Sequence, residues 1–464
     1  MEPIKLSELL EAVNGTLLGN FREEDIEITR VDTDSRNIHT GALFIPLVGE
    51  RFDGHAYINA ALEGGAAGCF TARERESYLD GKFYIKVSST QKALRDLAIW
   101  YKNRFQIPYV AVTGSVGKTT AKDMIASVLG SKFKVLKTEG NFNNNIGLPL
   151  TLLRLDRSYD ICVLEMGMDR FGEIDYLGDI VKPEVGVITN VGDAHIERLG
   201  SRENICKAKC ELLPHIRENG LLVLNGDDEL LSGLRGKTPV KTVFCGKGEG
   251  LEYRAEQTGG DGVSHIHCRM MTPGMDREVK VPALGAHMIY PSLIAAAIGE
   301  HFGLTADEIE EGILDFVPTR MRMNIITRGD GITILDDTYN ANPQSMRAAI
   351  SVLADSRSQW KVAVLGDMFE LGSFAPALHN GVGEYLGKAG IDCLVAVGEM
   401  AAQIAEGARN TGVPMVYYCA DKAAARTVLP QVIRPNSTIL VKASRGMALE
   451  ELSDFLVEQT PYFS

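Results

Sequence analysis

The chain has 464 residues, of which 45% are hydrophobic and 23% charged, with a formal net charge of −13. This composition is that of a globular protein with several domains and ample core, and it excludes a disordered or fibrous chain. An acidic chain without a basic run is a poor nucleic-acid binder, so no nucleic-acid partner is predicted.

The other bulk features predict a cytoplasmic protein. Residues Met1 to Lys5 lack the basic and apolar segments of a secretory signal. No apolar run reaches the ~18 residues of a membrane-spanning helix, so membrane insertion is not expected. The closest of the 8 cysteines, Cys206 and Cys210, lack the further ligands of a zinc site and are interpreted as reduced thiols in a core.

Residues 1 to about 104 predict an α/β unit. Its predicted helices are 6–13, 57–62 and 89–105, and its predicted strands are 26–31, 43–48 and 83–87. Two loops stand out, Asp32–Arg36 and Gly49–His55. Their small donors, arginine and glycine turns suit a nucleotide diphosphate or a sugar, although ordinary surface turns explain both loops equally well.

The stretch from Ala111 to Thr120 predicts a phosphate-binding loop. An apolar strand end breaks at Gly114, turns through Gly117 and continues into a helical pattern, so backbone N–H groups and the positive helix end face the turn. In such a loop Lys118 neutralises the β- and γ-phosphates, and the Thr119 hydroxyl holds Mg²⁺. The loop is a short form, because the usual first glycine is replaced by Val112.

Strand and helix patterns alternate through the rest of the chain. Predicted strands at 109–113, 161–165, 185–190 and 221–224 are near-continuous apolar runs, which favours a parallel sheet covered on both faces. Residues 241–282 predict an antiparallel annex, followed by helices at 292–302 and 306–316. A third unit has predicted strands at 332–335, 361–365, 393–397, 416–418 and 438–441. The predicted fold is therefore α/β with three domains, 1–105, 106–322 and 323–464, the last of them Rossmann-like.

Polar residues follow several of these strands, at the sheet edge where ligands bind in open α/β folds. Glu165 is interpreted as a magnesium ligand or a solvated strand-end acid, and His195 as a metal-shell residue or a loop histidine. The asparagine-rich segment 141–147 reads as a turn or as a loop that orients phosphates. Spacing alone gives Lys207 and Lys209 no role beyond a solvated helix face.

In the third unit, three polar segments end strands on one predicted edge. They are 336–343, 366–372 and 442–445, and Arg322 precedes them. Such an edge would line a binding cleft, and Arg322 would reach a phosphate across it.

Taken together, these motifs resemble the Mur ligase family. The resemblance rests on Thr33–Arg36, the loop that ends at His55, Gly114–Thr120, Gly140–Gly147, Glu165–Gly167, His195, Asp336–Pro343 and Gly366–Gly372. It implies an ATP-dependent ligase that activates the carboxylate of UDP-N-acetylmuramoyl-tripeptide as an acyl phosphate and joins it to D-alanyl-D-alanine. It also implies a UDP-binding first domain, an ATP-binding central domain and a last domain that brings the dipeptide.

The resemblance also assigns roles to residues. It implies that Lys118, Glu165, His195, Lys209 and Arg322 act on the reacting groups. It implies that ATP is bound by Thr113, Gly114, Ser115, Val116, Gly117, Lys118, Thr119, Thr120, His287, Arg322, Asp336 and Asn340. It implies that the other substrates are bound by Ser35, Arg36, Asp53, Gly54, His55, Asn143, Asn144, Tyr339, Asn342, Lys442, Ser444 and Arg445.

For metals, the resemblance implies two Mg²⁺ ions held by Thr119, Glu165 and Lys209, the last as a carbamate. Lys209, not Lys207, matches the lysine that CO₂ converts to an anion in the family. Only the neutral amine reacts with CO₂, and a free lysine is neutral in about one copy in 2,500 at pH 7. The site must therefore lower that pKa or trap the carbamate with metal.

One departure and several alternatives accompany the resemblance. The family often has asparagines where this chain has Met288 and Pro291, so the adenine contact is expected from His287 alone. A folylpolyglutamate- or cyanophycin-type ligase of the same fold is one alternative, and a regulatory ATPase is another; no Asn-Lys-x-Asp segment of a GTPase occurs. A monomer is expected, and the tripeptide's third residue, lysine or diaminopimelate, stays open.

Overall fold

The computed structural model describes residues 1–19, 21, 26–49 and 52–458. By its contacts the chain forms two compact units. The first unit comprises residues 1–111, 133–167 and 173–183, and the second comprises 112–132, 168–172 and the chain from 184 onward. The predicted domain boundaries after residues 105 and 322 stay a prediction.

The N-terminal part of the first unit is built on a five-stranded sheet. In sheet order its strands are Thr16–Leu18, Phe83–Lys86, Gly68–Thr71, Leu43–Phe44 and Val31–Asp32; the first pair is antiparallel and the others are parallel. A separate antiparallel pair joins Ile4–Lys5 to Glu27–Ile28. The helices are Leu6–Val13, Ile58–Glu63 and Thr90–Lys102, with a 3₁₀ turn at Gly54–Tyr57. Buried apolar residues such as Phe44, Ile58 and Tyr84 form the core between sheet and helix.

Two strand predictions in this part were wrong in extent. The expected strand 26–31 is two short strands, because Ile28 pairs with Ile4 whereas Val31–Asp32 pairs with Leu43–Phe44 in a different sheet. The expected strand 43–48 ends at Phe44. In the loop Gly49–His55, Glu50 and Arg51 lie outside the described residues.

The first unit also contains the parallel strand pair Val135–Lys137 and Ile161–Glu165 and the helices Gly147–Leu152 and Glu173–Val181. The strand Tyr109–Thr113 carries the chain from the first unit into the second. All five of its residues are buried, as its apolar sequence predicts.

The second unit begins with the helix Lys118–Gly130 and contains two sheets. In the first sheet, four neighbouring strands pair in parallel: Val185–Ile188, Leu221–Asn225, Lys241–Gly246 and Tyr253–Gly260. Next in sheet order come Ile266–Met271 and Asp276–Val281, and each of these pairs antiparallel with the strand before it. Its other helices are Ile196–Leu199, Arg202–Cys210, Glu229–Ser232, Ile289–His301 and Ala306–Leu314. The predicted antiparallel annex therefore starts later than expected, because Lys241–Gly246 ends in a buried run that pairs in parallel.

The second sheet of this unit has six strands. In sheet order they are Asn324–Thr327, Thr333–Asp336, Thr438–Lys442, Lys361–Gly366, Cys393–Val397 and Met415–Cys419, and only the first pair is antiparallel. The helices are Pro343–Asp355, Ala375–Lys388, Ala401–Asn410, Lys422–Val432 and Glu450–Glu458. Apolar side chains from strands and helices, among them Val364, Val395 and Leu452, form its core. The prediction of α/β architecture is confirmed.

None of the helices in the described part of the chain has both the length and the apolar character needed to span a bilayer.

Two helices of the second unit, Ala375–Lys388 and Ala401–Asn410, cross in contact at glycines. A Cβ on Gly383 would lie 2.0 Å from the carbonyl oxygen of Ile404, and a Cβ on Gly407 would lie 2.2 Å from that of Asn380. Both neighbours are backbone atoms that cannot yield without moving a helix. The absence of side chains at these positions therefore sets the distance between the helices.

This close approach predicts opposite effects for two glycines of one helix. Gly383→Ala is expected to lower the free energy of unfolding by about 2 kcal/mol or more, because the new methyl group overpacks the crossing. Gly381→Ala is the matched control: its Cβ would meet only the Arg347 Nη2 atom, at 3.4 Å. It is expected to be neutral or to stabilise by up to about 1 kcal/mol. Thermal and urea unfolding measure both, and equal stability of the two variants would contradict the crossing geometry.

Candidate functional site

The predicted phosphate loop lies between the strand Tyr109–Thr113 and the helix Lys118–Gly130. Gly117 begins that helix with a φ of 78°, a left-handed conformation that favours glycine. Gly114 has a φ of 152°, and a Cβ on it would lie 1.9 Å from the Thr189 hydroxyl oxygen. Lys118 Nζ donates to the Gly114 carbonyl oxygen at 2.8 Å, so its ammonium folds over the loop.

The neighbouring strand end holds the loop in place. The Val116 N–H donates to Asn190 Oδ1 at 2.9 Å, while the Val116 carbonyl accepts from Asn190 Nδ2 at 2.8 Å and from Thr189 Oγ1 at 2.7 Å. The Ser115 N–H donates to the Asn190 carbonyl at 3.0 Å. Residues Thr189 and Asn190 were not predicted as site residues, although their position directly after a buried strand is a signal for them.

Two hydroxyls of the loop have no hydrogen-bond partner. Thr113 Oγ1 and Ser115 Oγ are buried and unpaired. Buried hydroxyls are nearly always satisfied, so a pair of unsatisfied ones in a loop of N–H donors indicates a place for a polar ligand.

Lys209 is buried next to this loop. Its side chain is 1% exposed and lies on the helix Arg202–Cys210, whose first turn Ser201 caps by accepting from the Asn204 N–H. Removal from water and the nearby positive charge of Lys118 lower the pKa of Lys209 well below its usual value. Lys207, on the same helix, is exposed. The expectation from spacing that both lysines form a solvated face is therefore wrong for Lys209.

Arg322 contacts the first turn of the loop helix. Its Nη2 donates to Thr119 Oγ1 at 3.3 Å, and its guanidinium lies over the Tyr339 ring, 4.1 Å from the centroid. Stacking on the ring fixes the plane of the guanidinium and leaves its edge donors for an anion.

Two cavities border the loop at Val116, Gly117 and Thr120. The smaller, about 90 Å³, is also lined by His287, Met288, Arg322, Asp337 and Lys442. The larger, about 430 Å³, is also lined by Asn190, Arg202, Asp227, His287, Tyr290 and Pro291. His287 borders both cavities, and burial lowers its pKa, which favours the neutral imidazole.

Lys442 faces the smaller cavity with its charge already paired. Its Nζ donates to Asp337 Oδ2 at 2.6 Å and to the Asn340 carbonyl at 2.7 Å. Burial lowers the pKa of Lys442, while the Asp337 carboxylate opposes that shift. Asp336, the predicted ATP ligand, instead accepts from Thr338 Oγ1 at 2.6 Å, and burial raises its pKa. Asp337 lines the smaller cavity, and the role of Asp336 in ATP binding stays a prediction.

Other predicted residues of this segment make local contacts. Asn342 caps the helix Pro343–Asp355 by accepting from the Ser345 N–H at 2.9 Å, and Asn340 Oδ1 accepts from the Ala341 N–H at 2.9 Å. Ser444 Oγ accepts from the Phe369 N–H at 2.9 Å. Arg445 Nη1 pairs with Glu450 Oε1 at 2.5 Å. The predicted role of Asn340 in ATP binding and those of Asn342, Ser444 and Arg445 in binding the other substrates stay predictions.

His195 begins the short helix Ile196–Leu199 in a left-handed conformation, with a φ of 63°. Its Nδ1 lies 2.6 Å from Glu370 Oε2, but the contact lacks hydrogen-bond geometry, and Nδ1 is buried without a hydrogen-bond partner. The contact lowers the pKa of Glu370, a residue that the sequence did not single out.

In the first unit, Glu165 is 2% exposed at the end of its strand. Its Oε1 accepts from Asn143 Nδ2 at 2.8 Å, and its Oε2 is buried with no hydrogen-bond partner. Asn144, the other predicted amide, accepts from the N–H groups of Ile146 and Gly147 and so forms a turn. An unsatisfied buried carboxylate oxygen fits a cation ligand.

In each of the two N-terminal loops of the first unit, a carboxylate is paired with a basic side chain. The exposed Arg36 donates two hydrogen bonds to the Asp34 carboxylate, from Nε to Oδ1 at 2.9 Å and from Nη2 to Oδ2 at 2.8 Å. This contact lowers the pKa of Asp34 to about 2. Ser35 lies between them in the same loop.

In the second loop, Asp53 Oδ1 accepts from the His55 N–H at 3.0 Å and lies 2.7 Å from His55 Nδ1. Arg73 Nη2 donates to Asp53 Oδ2 at 2.6 Å. Gly54 is required by space, since a Cβ there would lie 2.6 Å from the Leu47 carbonyl oxygen.

Three family models match this sequence. They are described as the Mur ligase family catalytic domain, the Mur ligase middle domain and the Mur ligase glutamate ligase domain, and they match residues 27–102, 112–299 and 321–445.

Full-length relatives and solved structures are similar to the chain. The UDP-N-acetylmuramoyl-tripeptide–D-alanyl-D-alanine ligase of Bacillus subtilis (strain 168) is 38% identical over 462 residues, covering 98% of each chain. A crystal structure of MurF from Acinetobacter baumannii superposes with a TM-score of 0.92 at 32% identity, covering 99% of this chain and 100% of that one. MurF ligase from Thermotoga maritima in complex with ADP gives a TM-score of 0.82 at 30% identity, covering 92% and 97%.

The similarity extends over nearly the whole chain at more than 30% identity. This chain therefore belongs to the Mur ligase family.

Proposed function

We propose that this protein is an ATP-dependent ligase that joins D-alanyl-D-alanine to UDP-N-acetylmuramoyl-tripeptide. The observation that carries the proposal is the phosphate loop with the buried, pKa-lowered Lys209 beside Lys118. A loop of this kind binds a triphosphate, and a lysine whose pKa is lowered offers more of the neutral amine that CO₂ converts to an anion. The relatives named for this reaction supply the identity of the two substrates.

The reaction requires negatively charged groups to meet. In the proposed sequence the tripeptide carboxylate attacks the γ-phosphorus of ATP, ADP leaves, and an acyl phosphate forms. The amine of the dipeptide then attacks the acyl carbon, phosphate leaves, and the amine loses a proton to solvent. Phosphoryl transfer depends mainly on positioning and charge neutralisation, which Lys118 and Arg322 supply.

Magnesium ligands are proposed in each unit. Glu165 in the first unit offers an unsatisfied carboxylate oxygen, and Thr119 in the second unit offers a hydroxyl that now accepts from Arg322. When bound, Mg²⁺ neutralises phosphate charge and polarises the phosphoryl oxygens.

Lys209 is proposed to react with CO₂. Its neutral amine attacks the carbon of CO₂, an N–C bond forms, one N–H proton passes to solvent, and the product is a carbamate anion. The low-dielectric surroundings and the repulsion by Lys118 both favour this loss of positive charge. The carbamate then supplies oxygen ligands of the type that Mg²⁺ prefers.

The roles of the other residues in binding the substrates are also proposals. Ser35, Arg36 and the segment Asp53–His55 are proposed to bind the UDP moiety, and His287 the adenine. Tyr339, Asn342, Lys442, Ser444 and Arg445 are proposed to bind the incoming dipeptide, and Asn143 and Asn144 the muramoyl-peptide. A cytoplasmic monomer is proposed, and the third residue of the tripeptide stays open.

Phosphate release from ATP tests the activity itself. We expect release only when UDP-N-acetylmuramoyl-tripeptide and D-alanyl-D-alanine are both present, together with formation of the UDP-linked pentapeptide detected by mass spectrometry. Release with folate or another acid substrate instead would identify a sibling ligase. Release stimulated only by an added protein would identify a regulatory ATPase, and either result would overturn the proposal.

Lys118 is the residue whose loss is expected to affect ATP use most directly. Lys118→Ala removes the ammonium that lies over the loop, and loss of such a charge is expected to lower kcat by about 10²–10³-fold. Steady-state kinetics with ATP measure this. The exposed Lys237 provides a control, Lys237→Ala, which is expected to leave kcat unchanged. ATP turnover unaffected by Lys118→Ala would refute the loop assignment.

Lys209 and Lys207 form a matched pair on one helix, one buried and one exposed. Lys209→Ala is expected to abolish ligation, and added small carboxylic acids are expected to restore part of it by replacing the carbamate. Lys207→Ala is expected to behave as wild type. With ¹³C-bicarbonate, a carbamate ¹³C signal is expected in wild type and Lys207→Ala but not in Lys209→Ala. Full activity of Lys209→Ala without additives would exclude Lys209 from the site.

A further inference from the structure

A tight turn at residues 319–322 ends at Arg322. The Arg322 N–H donates to the Thr319 carbonyl oxygen at 3.2 Å, and this hydrogen bond closes the turn. Arg322 lies between Met321, which has a φ of 61°, and Met323, which has a φ of 54°. Non-glycine residues rarely adopt this left-handed conformation, so two of them on either side of one arginine indicate a functional constraint on its position.

Both ends of this turn contact the phosphate-loop helix Lys118–Gly130. At one end, Thr319 Oγ1 donates to Asp123 Oδ2. At the other end, Arg322 Nη2 donates to Thr119 Oγ1 at 3.3 Å. Residues 119 and 123 are four positions apart, so they lie on one face of the helix, one turn from each other. The turn is therefore attached to this face at two points.

Asp123 is a buried and charged attachment point. Its side chain is 3% exposed, and its Oδ1 lies 3.1 Å from the Nζ atom of Lys122, which is buried too. A buried carboxylate stays ionised only when it is paired, and Lys122 supplies the pairing charge. A hydrogen bond to an ionised acceptor is stronger than one between neutral groups. Asp123 can therefore hold Thr319 without leaving an unpaired negative charge beside the phosphate loop.

At the other end of the turn, the Arg322 side chain still has a donor to offer. Its Nε is buried and has no hydrogen-bond partner among the described residues. Arg322 and Gly117 of the phosphate loop line the same cavity of about 90 Å³. Buried N–H donors are nearly always satisfied, so an unsatisfied guanidinium donor at this cavity indicates a place for an anion.

We propose that Asp123 and Thr319 are positioning residues, which attach the turn 319–322 to the phosphate-loop helix and thereby hold the Arg322 guanidinium at the phosphates of ATP. The proposal rests on the proposed function, because it takes Arg322 to neutralise phosphate charge. It adds that the helix which begins at the phosphate loop also sets the position of this cation. Asp123 and Thr319 act only through Arg322 in this account.

Binding of AMPPNP, a non-hydrolysable ATP analogue, in the presence of Mg²⁺ provides the first test. The variants are made at Thr319, because replacing Asp123 would leave the buried charge of Lys122 unpaired. Thr319→Val removes the donor and keeps the shape of the side chain, whereas Thr319→Ser keeps the donor. The exposed Thr427 provides the control, Thr427→Val.

Thr319→Val is expected to raise the Kd for AMPPNP by about 10-fold or more, the scale of one hydrogen bond to a charged group. Thr319→Ser and Thr427→Val are expected to stay within about twofold of wild type. Isothermal titration calorimetry measures the Kd, and thermal unfolding verifies that each variant is folded. Wild-type affinity of Thr319→Val, or an equal loss in Thr319→Ser, would overturn the proposal.

A double-mutant cycle with Arg322→Ala provides the second test. If Thr319 acts through Arg322, adding Thr319→Val to Arg322→Ala is expected to change the Kd by no more than about twofold. A general structural role would weaken binding by the same factor in both backgrounds, and that result would overturn the positioning role alone. A wild-type protein that shows the coupling but does not join D-alanyl-D-alanine to the UDP-linked tripeptide would overturn the proposed function alone.

Discussion

The constraint on which the site depends is the burial of Lys209 next to the phosphate loop, to which the positive charge of Lys118 adds repulsion. Lys118 lies over the loop, and Lys209 is buried close enough that the positive charge of Lys118 lowers its pKa. Two ammonium groups in a low-dielectric region are costly together, and the cost is relieved only if one loses its charge or an anion enters. Both outcomes favour the proposed chemistry, because a triphosphate neutralises Lys118 and a carbamate reverses the charge of Lys209. The free site is thus prepared for negative charge before any ligand arrives.

The rigidity of the loop has a separate origin. Thr189 and Asn190 satisfy the N–H and the carbonyl of Val116, so part of the loop backbone is anchored to the neighbouring strand end. The hydroxyls of Thr113 and Ser115 remain unsatisfied. A site that is fixed by one set of hydrogen bonds and leaves another set open needs little reorganisation when the ligand binds.

Sequence patterns predicted the long buried elements well and the short ones poorly. The strands 109–113, 161–165 and 393–397 match the structure residue for residue, because each is a continuous apolar run buried on both faces. The edge strands Thr16–Leu18 and Val135–Lys137 have three residues each and carry no comparable pattern. Their existence depends on pairing with distant strands, which local sequence does not encode.

The same limit applies to the site residues. The glycines and Lys118 were predictable, since their spacing is itself the geometry of the loop. Lys209 was not predictable from spacing, because helix periodicity says which face a residue is on but not what covers that face. Asn342 and Asn144 show a different difficulty. Short polar side chains before a helix or turn satisfy the local backbone whether or not they also bind a ligand, so a polar segment does not by itself separate a binding site from a cap. Glu370 lies in the predicted polar segment 366–372, but its contact with His195 was not predictable, because His195 lies 175 residues earlier in the chain.

Because the whole chain is acidic, the binding of anionic substrates depends on cations at the site itself. A net charge of −13 repels anionic substrates at long range, yet the Debye length is about 8 Å at physiological ionic strength, so most surface acids are screened from the loop. Lys442 is 1% exposed, and interactions of buried charges are screened much less than those of surface charges. Binding of ATP and of an acidic peptide must therefore be decided within the first few ångströms of the site. The overall charge then has little effect on affinity, and the burial of a few cations determines it.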